Sequence, residues 1–470
     1  MSRPAALPPG PRAIPGLGSR VNFVAFMRDP VSYMSWLRRE YGNIVSLARD
    51  STDYVFVFSP EHNRMVLGEG ALFFNLDAES SPLRMPANSS LSRLFAGLSQ
   101  MNGSRHKQQR RLIAPALGKH RIDAHREGIG EIVSGWLDRW RPGESYDLLE
   151  EMRQLTLTIA VKAFVGLDPG PAGRNMARLL EQWLGLVFSL SAIALPFDLP
   201  GFPYRRLLAV SDELERLIRG LISDKRARGL DGNDVLSTLL RVHDDDDGRL
   251  TDDELVGQTN FLFMAGHATT ASALTWTVFL LTQHPGVLIE LLEEFDREST
   301  SDPPTVDELD RLRLLEAVIH ESLRLLPPVI WWGRVSTAPV ELGAYQLPKG
   351  TRVINSAFVT HRMPELYAEP QRFLPHRWLA GEPGPFAYLP FSAGPRTCPG
   401  SAFAMMEMKL VLIRLLRRFA VTLLSGTTVD LGGMLLSVPR PNIRVRIGAR
   451  DRRPRKCEVR GGIRRVVDLD

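Results

Sequence analysis

The sequence predicts a mainly α-helical protein with small β-sheets. The strongest observation is a helical pattern that runs without a breaker from 252 to 283. Further helical patterns cover the ranges 104–240, 286–298, 305–326 and 401–419. Runs of β-branched and aromatic residues at 54–58 and within 340–358 predict short strands. At 44% hydrophobic and 24% charged residues, the 470-residue chain has the composition of a globular protein rather than a disordered one.

Three parts follow one another along the chain. Residues 1–20 are rich in proline and glycine and predict an extended arm without regular structure. Residues 21–447 hold the helical and β patterns and form one predicted domain. Residues 448–470 form a tail in which, from Arg450 onward, eight basic residues outnumber four acidic ones. We expect a segment with this charge to be disordered.

Charge and cysteine content exclude several classes of protein. The net charge of +5 comes mostly from the tail, so the body is nearly neutral and does not suit nucleic-acid binding. Two cysteines, Cys398 and Cys457, are too few for a disulfide framework or a four-cysteine zinc site. The N-terminus has no signal-peptide pattern, and the most apolar run, 183–197, is shorter than the roughly 20 residues that span a bilayer. We expect a cytoplasmic monomer without a membrane span.

The long helix is predicted to lie buried at the centre of the fold. Thr251 and Glu254 form a capping box at its start, and His284-Pro285 ends it. At 1.5 Å per residue its length is roughly 48 Å, about the width of the molecule. The stretch 261–265 is apolar on every side, as in helices that other elements surround.

The segment 391–400 carries the most specific chemistry in the sequence. It offers one thiol, Cys398, with glycines on both sides, Arg396 two residues earlier and a helix that starts just after it. Glycines let a loop pass close to a flat ligand, and unpaired backbone N–H groups can donate to sulfur. The helix N-terminus and Arg396 are expected to lower the pKa of the thiol. A single cysteine is more often a small buried hydrophobic residue, but these neighbours favour a ligand-binding role.

This loop resembles the haem-binding signature of the cytochrome P-450 family, F-x-x-G-x-R-x-C-x-G. All the fixed positions match, at Phe391, Gly394, Arg396, Cys398 and Gly400. The resemblance implies a cytochrome P-450 fold, with haem b (iron protoporphyrin IX) bound between the long helix and the helix after the cysteine loop. It also implies that Cys398 is the axial iron ligand and that Arg396 pairs with a haem propionate. Thiolate ligation, which favours O–O cleavage, is the recognised feature of that family.

Two further motifs are similar to structural positions of the family. Glu321 and Arg324 lie three residues apart on one helix face and match the E-x-x-R motif. The segment 370–378 is similar to the family's meander, in which Arg372 takes the position of the arginine that completes a buried Glu–Arg–Arg network. The implied role of these residues is to hold the haem-side scaffold rigid.

Three basic residues outside the loop are expected to contact haem. His106 and Arg110 are one turn apart on the helix that begins near Gly103, so both can reach one propionate edge. Arg334 follows Arg324 by ten residues and matches another propionate-binding position of the family. The alternative for each is an ordinary exposed basic residue.

The segment 265–270 resembles the family's oxygen-binding groove, A-G-x-[D/E]-T-T. Ala265, Gly266 and Thr270 match it, and Thr269 takes the position of the proton-relay threonine. Glycine inside a helix costs about 1 kcal/mol relative to alanine, and here its missing side chain is expected to let haem or dioxygen approach. Threonine hydroxyls can bond to a backbone carbonyl or donate to bound oxygen.

Position 268 departs from this pattern. It is alanine where the family usually has a carboxylate that helps to bring protons from solvent. Ordered water or His267 could take over that role, although His267 faces elsewhere on a regular helix. Alternatively, a substrate hydroxyl could donate the proton, or the reaction could need fewer protons.

The resemblance also implies an apolar substrate pocket above the haem. Its predicted lining is large and uncharged, and includes Phe261, Val329, Ile330, Trp331 and Leu435. This lining favours a bulky hydrophobic small molecule such as a terpenoid or polyketide-like substrate. The segment 195–201 is similar to the lid loop of isoprenoid-oxidising branches of the family.

Electrons are expected to come from a separate ferredoxin or flavodoxin and its reductase. Basic residues on or near the helices beside the cysteine loop predict a surface that attracts an acidic partner. They are Arg105, Lys107, Arg110, Arg111, Lys119, Lys409, Arg414, Arg417 and Arg418.

The sequence therefore predicts an enzyme, a haem-thiolate monooxygenase of secondary metabolism that uses O2 to hydroxylate or epoxidise its substrate. A haem-thiolate isomerase, lyase or peroxygenase is the alternative that Ala268 leaves open. A non-catalytic haem sensor is a remote alternative, because a sensor would not need both Thr269 and a large apolar cavity.

Overall fold

Helices dominate the computed structural model, which describes residues 7–13, 18–76, 83–229, 232–245, 250–381, 383–450 and 454–469. The predicted mainly helical architecture with small sheets is confirmed. The helices are α1 (Arg20–Arg28), α2 (Pro30–Tyr41), α3 (Pro60–Gly68), α4 (Ser90–Leu94), α5 (Gly103–Ile113), α6 (Lys119–Leu137), α7 (Leu148–Val165), α8 (Pro171–Val187), α9 (Leu190–Ala194), α10 (Pro203–Arg228), α11 (Val235–Asp245), α12 (Asp252–Gln283), α13 (Pro285–Glu298), α14 (Val306–Arg311), α15 (Arg313–Leu325), α16 (Ala357–Thr360) and α17 (Ser401–Arg418).

Short strands pair into four sheets within the described ranges. The strands are β1 (Ile44–Ser46), β2 (Tyr54–Val57), β3 (Phe73–Asn75), β4 (Ser145–Asp147), β5 (Trp332–Ser336), β6 (Val340–Leu342), β7 (Tyr345–Leu347), β8 (Arg352–Asn355), β9 (Phe419–Leu423), β10 (Asp430–Gly432), β11 (Val438–Arg440) and β12 (Arg444–Ala449). The largest sheet has the order β1-β2-β8-β5-β3, in which β2 and β8 are parallel and the other neighbours are antiparallel. A second sheet has the order β4-β12-β9, and β6–β7 and β10–β11 are antiparallel pairs.

The predicted central helix is confirmed as α12, with 32 residues and a complete capping box between Thr251 and Glu254. Every residue from 270 to 283 is buried, because α7, α15 and α17 pack around this part of the helix. The Thr156 hydroxyl of α7 donates to the backbone carbonyl of His267 at 3.1 Å. These contacts place α12 along the largest hydrophobic core of the protein.

The described part of the N-terminal arm is extended, as predicted. Residues 7–13 contain no helix or strand. The carbonyl of Pro9 accepts from the Ser46 N–H at 2.7 Å, and the carbonyl of Pro11 accepts from the Arg49 N–H at 2.7 Å. The arm therefore lies along the edge of the largest sheet. Residues 1–6 and 14–17 lie outside the described ranges.

The prediction of a disordered tail is wrong for residues 454–469. Val459, Ile463, Val467 and Leu469 are buried in the main core. The Ile463 N–H donates to the carbonyl of Val429 at 3.1 Å, next to β10. Apolar side chains spaced every four residues therefore anchor this segment despite its charge. Residues 451–453 and 470 lie outside the described ranges.

In the described part of the chain, no helix combines the length and the apolar character that crossing a bilayer requires.

Candidate active site

The cysteine loop folds back on itself just before α17. The Cys398 N–H donates to the Phe391 carbonyl at 2.8 Å, and the Thr397 N–H donates to the Gly394 carbonyl at 3.0 Å. Gly394 has a φ of +70°, and a Cβ at this position would lie 2.2 Å from the carbonyl oxygen of Leu67 in α3. Only glycine allows this close approach, so the loop is fixed against α3.

The Cys398 thiol stands where the loop meets the start of α17. Burial raises the pKa of this thiol, while a hydrogen bond from the Gly400 N–H and the nearby charge of Arg110 act in the opposite direction. The predicted lowering of the thiol pKa by Arg396 is therefore wrong for the protein chain alone, because burial is the larger effect. An iron ion bound to the sulfur would supply the positive charge that a thiolate needs.

Four basic side chains that the sequence places far apart meet beside this loop, namely His106, Arg110, Arg334 and Arg396. His106 and Arg334 are buried. Burial and then the charges of the three arginines lower the pKa of His106 to about 4. Burial and the charge of Arg396 lower the pKa of Arg334 to about 10, and burial and Arg110 have the same effect on Arg396. The four predicted haem contacts therefore form one cluster, which we call the basic cluster, in which burial and the charges of three arginines keep the histidine neutral at pH 7.

Within the described ranges, the acceptors that hydrogen-bond to the arginines of the basic cluster are neutral. Arg396 Nη2 donates to the Met101 carbonyl at 2.7 Å and to Asn102 Oδ1 at 2.6 Å, and Arg334 Nη1 donates to the Gly333 carbonyl at 3.0 Å. Among the described residues, no carboxylate forms an ion pair with any member of the cluster. Buried cations without a counter-charge are costly. The cluster therefore suits a ligand with carboxylates of its own, such as the two propionates of haem.

Trp332 is a further candidate contact beside the basic cluster. It precedes Arg334 by two residues on β5, so both side chains leave the same face of the strand. It packs against a hydrophobic cluster that includes Ala393 of the cysteine loop, and its buried Nε1 has no hydrogen-bond partner among the described residues. An unsatisfied donor at this position adds to the polar groups that fit an anionic ligand.

Glu321 and Arg324 form the centre of a buried and complete ion-pair network. Arg324 donates from Nε and Nη2 to the two carboxylate oxygens of Glu321, each at 2.8 Å, and both side chains are 0% exposed. Arg377 Nε and Trp378 Nε1 donate to the same carboxylate at 3.1 and 2.8 Å. The Leu374 N–H also donates to it, at 2.9 Å.

The prediction that Arg372 completes this network is wrong, and Arg377 takes that position. The Arg372 side chain is exposed and pairs with Glu369, while only its backbone carbonyl accepts from Arg324, at 3.0 Å. The next residue, Phe373, is buried. Neighbouring side chains of an extended segment point to opposite sides, so an inward Phe373 turns Arg372 outward.

The predicted oxygen groove lies on the face of α12 that its neighbours leave uncovered. Ala265 is exposed in the middle of this otherwise buried helix, and the Thr269 hydroxyl donates to the Ala265 carbonyl at 2.8 Å. The Thr270 hydroxyl makes the same kind of bond to Gly266, at 2.8 Å. Each hydroxyl thus donates to the backbone carbonyl one helical turn earlier in α12.

Gly266 and His267 face away from this groove. A Cβ at Gly266 would come within 2.9 Å of the Phe164 ring, so the glycine is explained by packing against α7 rather than by the predicted approach of haem or dioxygen. The His267 side chain is buried, and its Nδ1 pairs with the Phe263 carbonyl at 2.9 Å. Burial lowers the pKa of His267 and keeps the ring neutral. His267 therefore does not replace the missing carboxylate at position 268.

The predicted pocket residues separate into two groups. Phe261, Val329 and Leu435 are half-buried, and Phe261 packs against the backbone at Gly97. Ile330 is fully buried in a second core with Phe26, and Trp331 packs against the same core, so their place in the pocket stays a prediction. These two consecutive residues pack against α1, which the sequence analysis did not place.

Four of the nine residues of the predicted basic surface pair with carboxylates of the chain. Lys409 is buried and donates to Glu316 at 3.3 Å and to the Leu309 carbonyl at 3.0 Å. Arg414 pairs with Asp302, Arg417 donates to two backbone carbonyls, Arg418 pairs with Asp138 at 2.6 Å and Arg105 with Glu254 at 3.0 Å. Lys107 and Arg111 are exposed, and the side chain of Lys119 is not among those that the structure describes.

Comparison with known proteins agrees with this geometry over nearly the whole chain. The sequence pattern of the cytochrome P-450 family matches residues 8–446. Putative cytochrome P-450 135B1 of Mycobacterium tuberculosis is 30% identical over 455 residues, which cover 94% of this chain and 92% of that protein. Cyclooctat-9-en-7-ol 5-monooxygenase of Streptomyces melanosporofaciens is 30% identical over 435 residues, covering 91% and 92%. The solved structure of retinoic-acid-bound cyanobacterial CYP120A1 has a TM-score of 0.80 and 26% identity, and the match covers 95% of this chain and 100% of that one.

Proposed function

The chain belongs to the cytochrome P-450 family, and on this premise we propose that it hydroxylates or epoxidises a bulky hydrophobic small molecule of terpenoid or polyketide type, in secondary metabolism. As a member of this family it is a haem-containing monooxygenase that uses O2 and electrons from redox partners. The identity of the substrate, the electron donor and the roles of individual residues are parts of the proposal.

The haem-binding role rests on the pairing of one thiol with the basic cluster. We assign Cys398 as the axial ligand, and His106, Arg110, Arg334 and Arg396 as the residues that hold the propionates. Phe391, Gly394 and Gly400 shape the loop that brings the sulfur to the iron. Haem ligated by a thiolate supplies the activation of O2 that the reaction needs. The observation that carries this assignment is a buried to half-buried cluster of three arginines and a histidine with which no carboxylate of the described residues pairs.

The proposed proton donor to the oxygen site is the Thr269 hydroxyl. Its bond to the Ala265 carbonyl keeps it at the exposed groove of α12, where a rotation of the hydroxyl hydrogen can redirect it. Ala268 offers no acid to recharge this hydroxyl, and His267 is turned away and neutral. Water or a hydroxyl on the substrate is therefore the source of the proton.

The substrate class is supported by the half-buried apolar residues and by two relatives. Phe261, Val329 and Leu435 carry no charge that could pair with an anionic group. One relative is named for the oxidation of cyclooctat-9-en-7-ol, and another is solved with retinoic acid, and both molecules are large and mainly apolar. We propose that a soluble ferredoxin or flavodoxin in the cytoplasm supplies the electrons.

A spectroscopic substrate screen tests this proposal. Terpenoid alcohols, polyketide macrolactones and fatty acids are added to the ferric protein, and binding is followed by the spin-state shift of the haem absorption. We expect terpenoid or polyketide compounds to bind at least tenfold more tightly than fatty acids of similar size. Preferred binding of fatty acids would contradict the substrate class while leaving the haem assignment intact.

Peroxygenase, isomerase or lyase chemistry is the second candidate, because Ala268 removes the usual acid. Comparing product formation with O2 and reductase, with peroxide, or without oxidant separates these reactions. If monooxygenation is the reaction, Ala268→Glu should raise the product formed per NAD(P)H consumed, because an acid would recharge Thr269. Ala268→Gln, which adds similar bulk without a carboxylic acid, is the matched control. Equal or lower coupling in Ala268→Glu would contradict a missing relay.

A further inference from the structure

The turn between β10 and β11 is tied to the central helix through a single backbone carbonyl. Ser437 lies at the end of this turn and is fully buried. Its carbonyl oxygen accepts from the Ser272 hydroxyl and from Trp276 Nε1, the latter at 3.1 Å. Both donors come from α12 and are themselves buried. One acceptor thus joins the turn to α12 at two points one helical turn apart.

The opposite side of the turn is tied to the segment before β5. The Ile330 N–H donates to the Leu435 carbonyl at 3.0 Å, and the Ser437 N–H donates to the Pro328 carbonyl at 2.8 Å. The Trp331 indole donates to the Met434 carbonyl at 2.9 Å. Backbone and side-chain hydrogen bonds therefore hold residues 434–437 between α12 and the segment before β5.

The turn itself has little room to change shape. Gly433 has a φ of +96°, and a Cβ there would lie 1.8 Å from the Leu436 carbonyl oxygen. Because the turn is this tight, we expect it to move as a rigid unit when its hydrogen bonds to α12 are lost. Leu435 and Leu436, which are half-buried, would move with it.

Ser272 also stands close to the proposed oxygen groove along the helix. It follows Thr269 by three residues, so both side chains leave the same face of α12. The hydroxyl of Thr269 is bonded within its own helix, whereas that of Ser272 reaches across to the turn. The anchor of the turn is therefore adjacent to the groove at which we place the chemistry.

We propose that Ser272 and Trp276 are positioning residues that set the depth of Leu435 and Leu436 in the substrate pocket, and so determine which carbon is oxidised. This inference rests on the proposed function, because it assumes that the turn lines the pocket above the haem. Removing both donors leaves the Ser437 carbonyl buried without a partner, and the turn then moves toward water. Removing one donor leaves the other in place, so the two changes are expected to be non-additive.

The test uses Ser272→Ala, Trp276→Phe and the double variant in the haem-loaded protein. Two ligands report on the pocket through the haem spectrum: imidazole, which is small, and a triarylmethyl-imidazole, which fills the space above the haem. Thr275→Val is the control for Ser272→Ala, since the Thr275 hydroxyl is buried on the same helix but bonds only to Ala271, at 2.7 Å. Trp140→Phe is the control for Trp276→Phe, since the Trp140 indole bonds to Glu151, which keeps Trp136 as a second donor.

In the double variant we expect the bulky imidazole to gain at least fivefold in affinity relative to imidazole, because the released turn withdraws from the pocket. Each single variant should change this ratio about twofold, and the controls should not change it. The ratio of oxidised products from any substrate found by the screen should shift in the same variants. An unchanged affinity ratio in a double variant with normal haem content and thiolate-type absorption would overturn the inference.

If the double variant does not fold, the single variants provide the test. At least one of them must then change the affinity for the bulky imidazole relative to imidazole. Failure of the proposed function looks different. In that case the unmodified protein itself shows neither thiolate-type absorption nor a spectral response to imidazole, whereas failure of the positioning role leaves both signals intact.

Discussion

The chain contains two arginine sites, one at Glu321 and one at the basic cluster, which differ in whether a carboxylate balances the arginine charge. At Glu321 the protein supplies its own carboxylate, and Arg324, Arg377 and Trp378 all donate to it. At the basic cluster the described protein supplies no carboxylate. The first site is complete without any ligand, whereas the second has the composition of a site that a bound anion would complete.

The protonation behaviour of the two sites follows the same division. Burial alone would raise the pKa of Glu321, but the hydrogen bond and charge of Arg324 hold it below its usual value. In the basic cluster burial and like charges act together, and they lower the pKa of Arg334 and Arg396 to about 10. A buried arginine is thus no guide to function until its counter-charge is identified.

Breaking the complete site should have the largest effect. Glu321→Gln leaves Arg324 and Arg377 buried without a counter-charge, and losing one partner of a buried ion pair costs about 3–5 kcal/mol. We expect most of the protein to be insoluble or free of haem. Haem content per chain and chemical unfolding measure this effect, and a variant with wild-type stability would show that the network is not structural.

Removing one positive charge from the basic cluster should stabilise or leave unchanged the haem-free protein, but should weaken haem binding. Arg334→Met removes a repelled charge, so the haem-free protein should become equally or more stable. Haem binding should weaken by about 10- to 100-fold, because a hydrogen bond to a charged group contributes about 1.5–3 kcal/mol. Unfolding of the haem-free protein and the rate of haem transfer to apomyoglobin measure the two effects. A haem-free variant that is clearly less stable would contradict the comparison.

The histidine of the basic cluster should make the haem-free protein sensitive to acid. Burial and the charges of the three arginines lower the pKa of His106 to about 4, whereas an unfolded histidine has a pKa near 6.5. Between these values the unfolded chain binds more protons, so stability should fall as the pH decreases from about 6.5 to 4. His106→Gln should flatten this slope, and bound haem should reduce it because the propionates favour the charged ring. Equal slopes for both proteins would contradict the burial of an uncharged ring.

The smallest effect is expected at the arginine that the sequence placed in the network. Arg372→Ala removes an exposed pair with Glu369, and solvent screening leaves such pairs little effect on stability. Arg377→Ala is the matched variant, and it should be clearly more destabilising because its partner Glu321 is fully buried. Thermal unfolding of both variants decides between the two positions, and a larger loss in Arg372→Ala would restore the sequence-based assignment.

Elements with strong local signals are predictable from the sequence to within a residue or two. The central helix has a capping box at one end and His284-Pro285 at the other, and it runs over the predicted residues. The range 305–326, predicted as one helix, is instead split into α14 and α15. The carboxylate of Glu294 in α13 accepts the N–H groups of Leu314 and Leu315 and so caps a new helix start. A cap that comes from another helix leaves no mark in the local sequence.

The site residues also differ in whether the local sequence predicts them. The spacing within the cysteine loop is a dense local motif, and the four residues of the basic cluster do come together. The choice between Arg372 and Arg377 depends on which side chain points inward, and two arginines five residues apart give no periodic signal for that. The tail shows the opposite case, because the spacing of Val459, Ile463 and Val467 did contain a helical-type signal that its charge concealed.

The proposed bond between the Cys398 sulfur and haem iron is the assignment on which the other site assignments depend. Carbon monoxide added to the reduced protein reports on the ligand opposite to it through the position of the main absorption band. We predict thiolate-type absorption for the unmodified protein, and its complete loss in Cys398→Ser with the fold retained by circular dichroism. A haem-loaded protein without that band, or a serine variant that keeps it, would contradict the assignment.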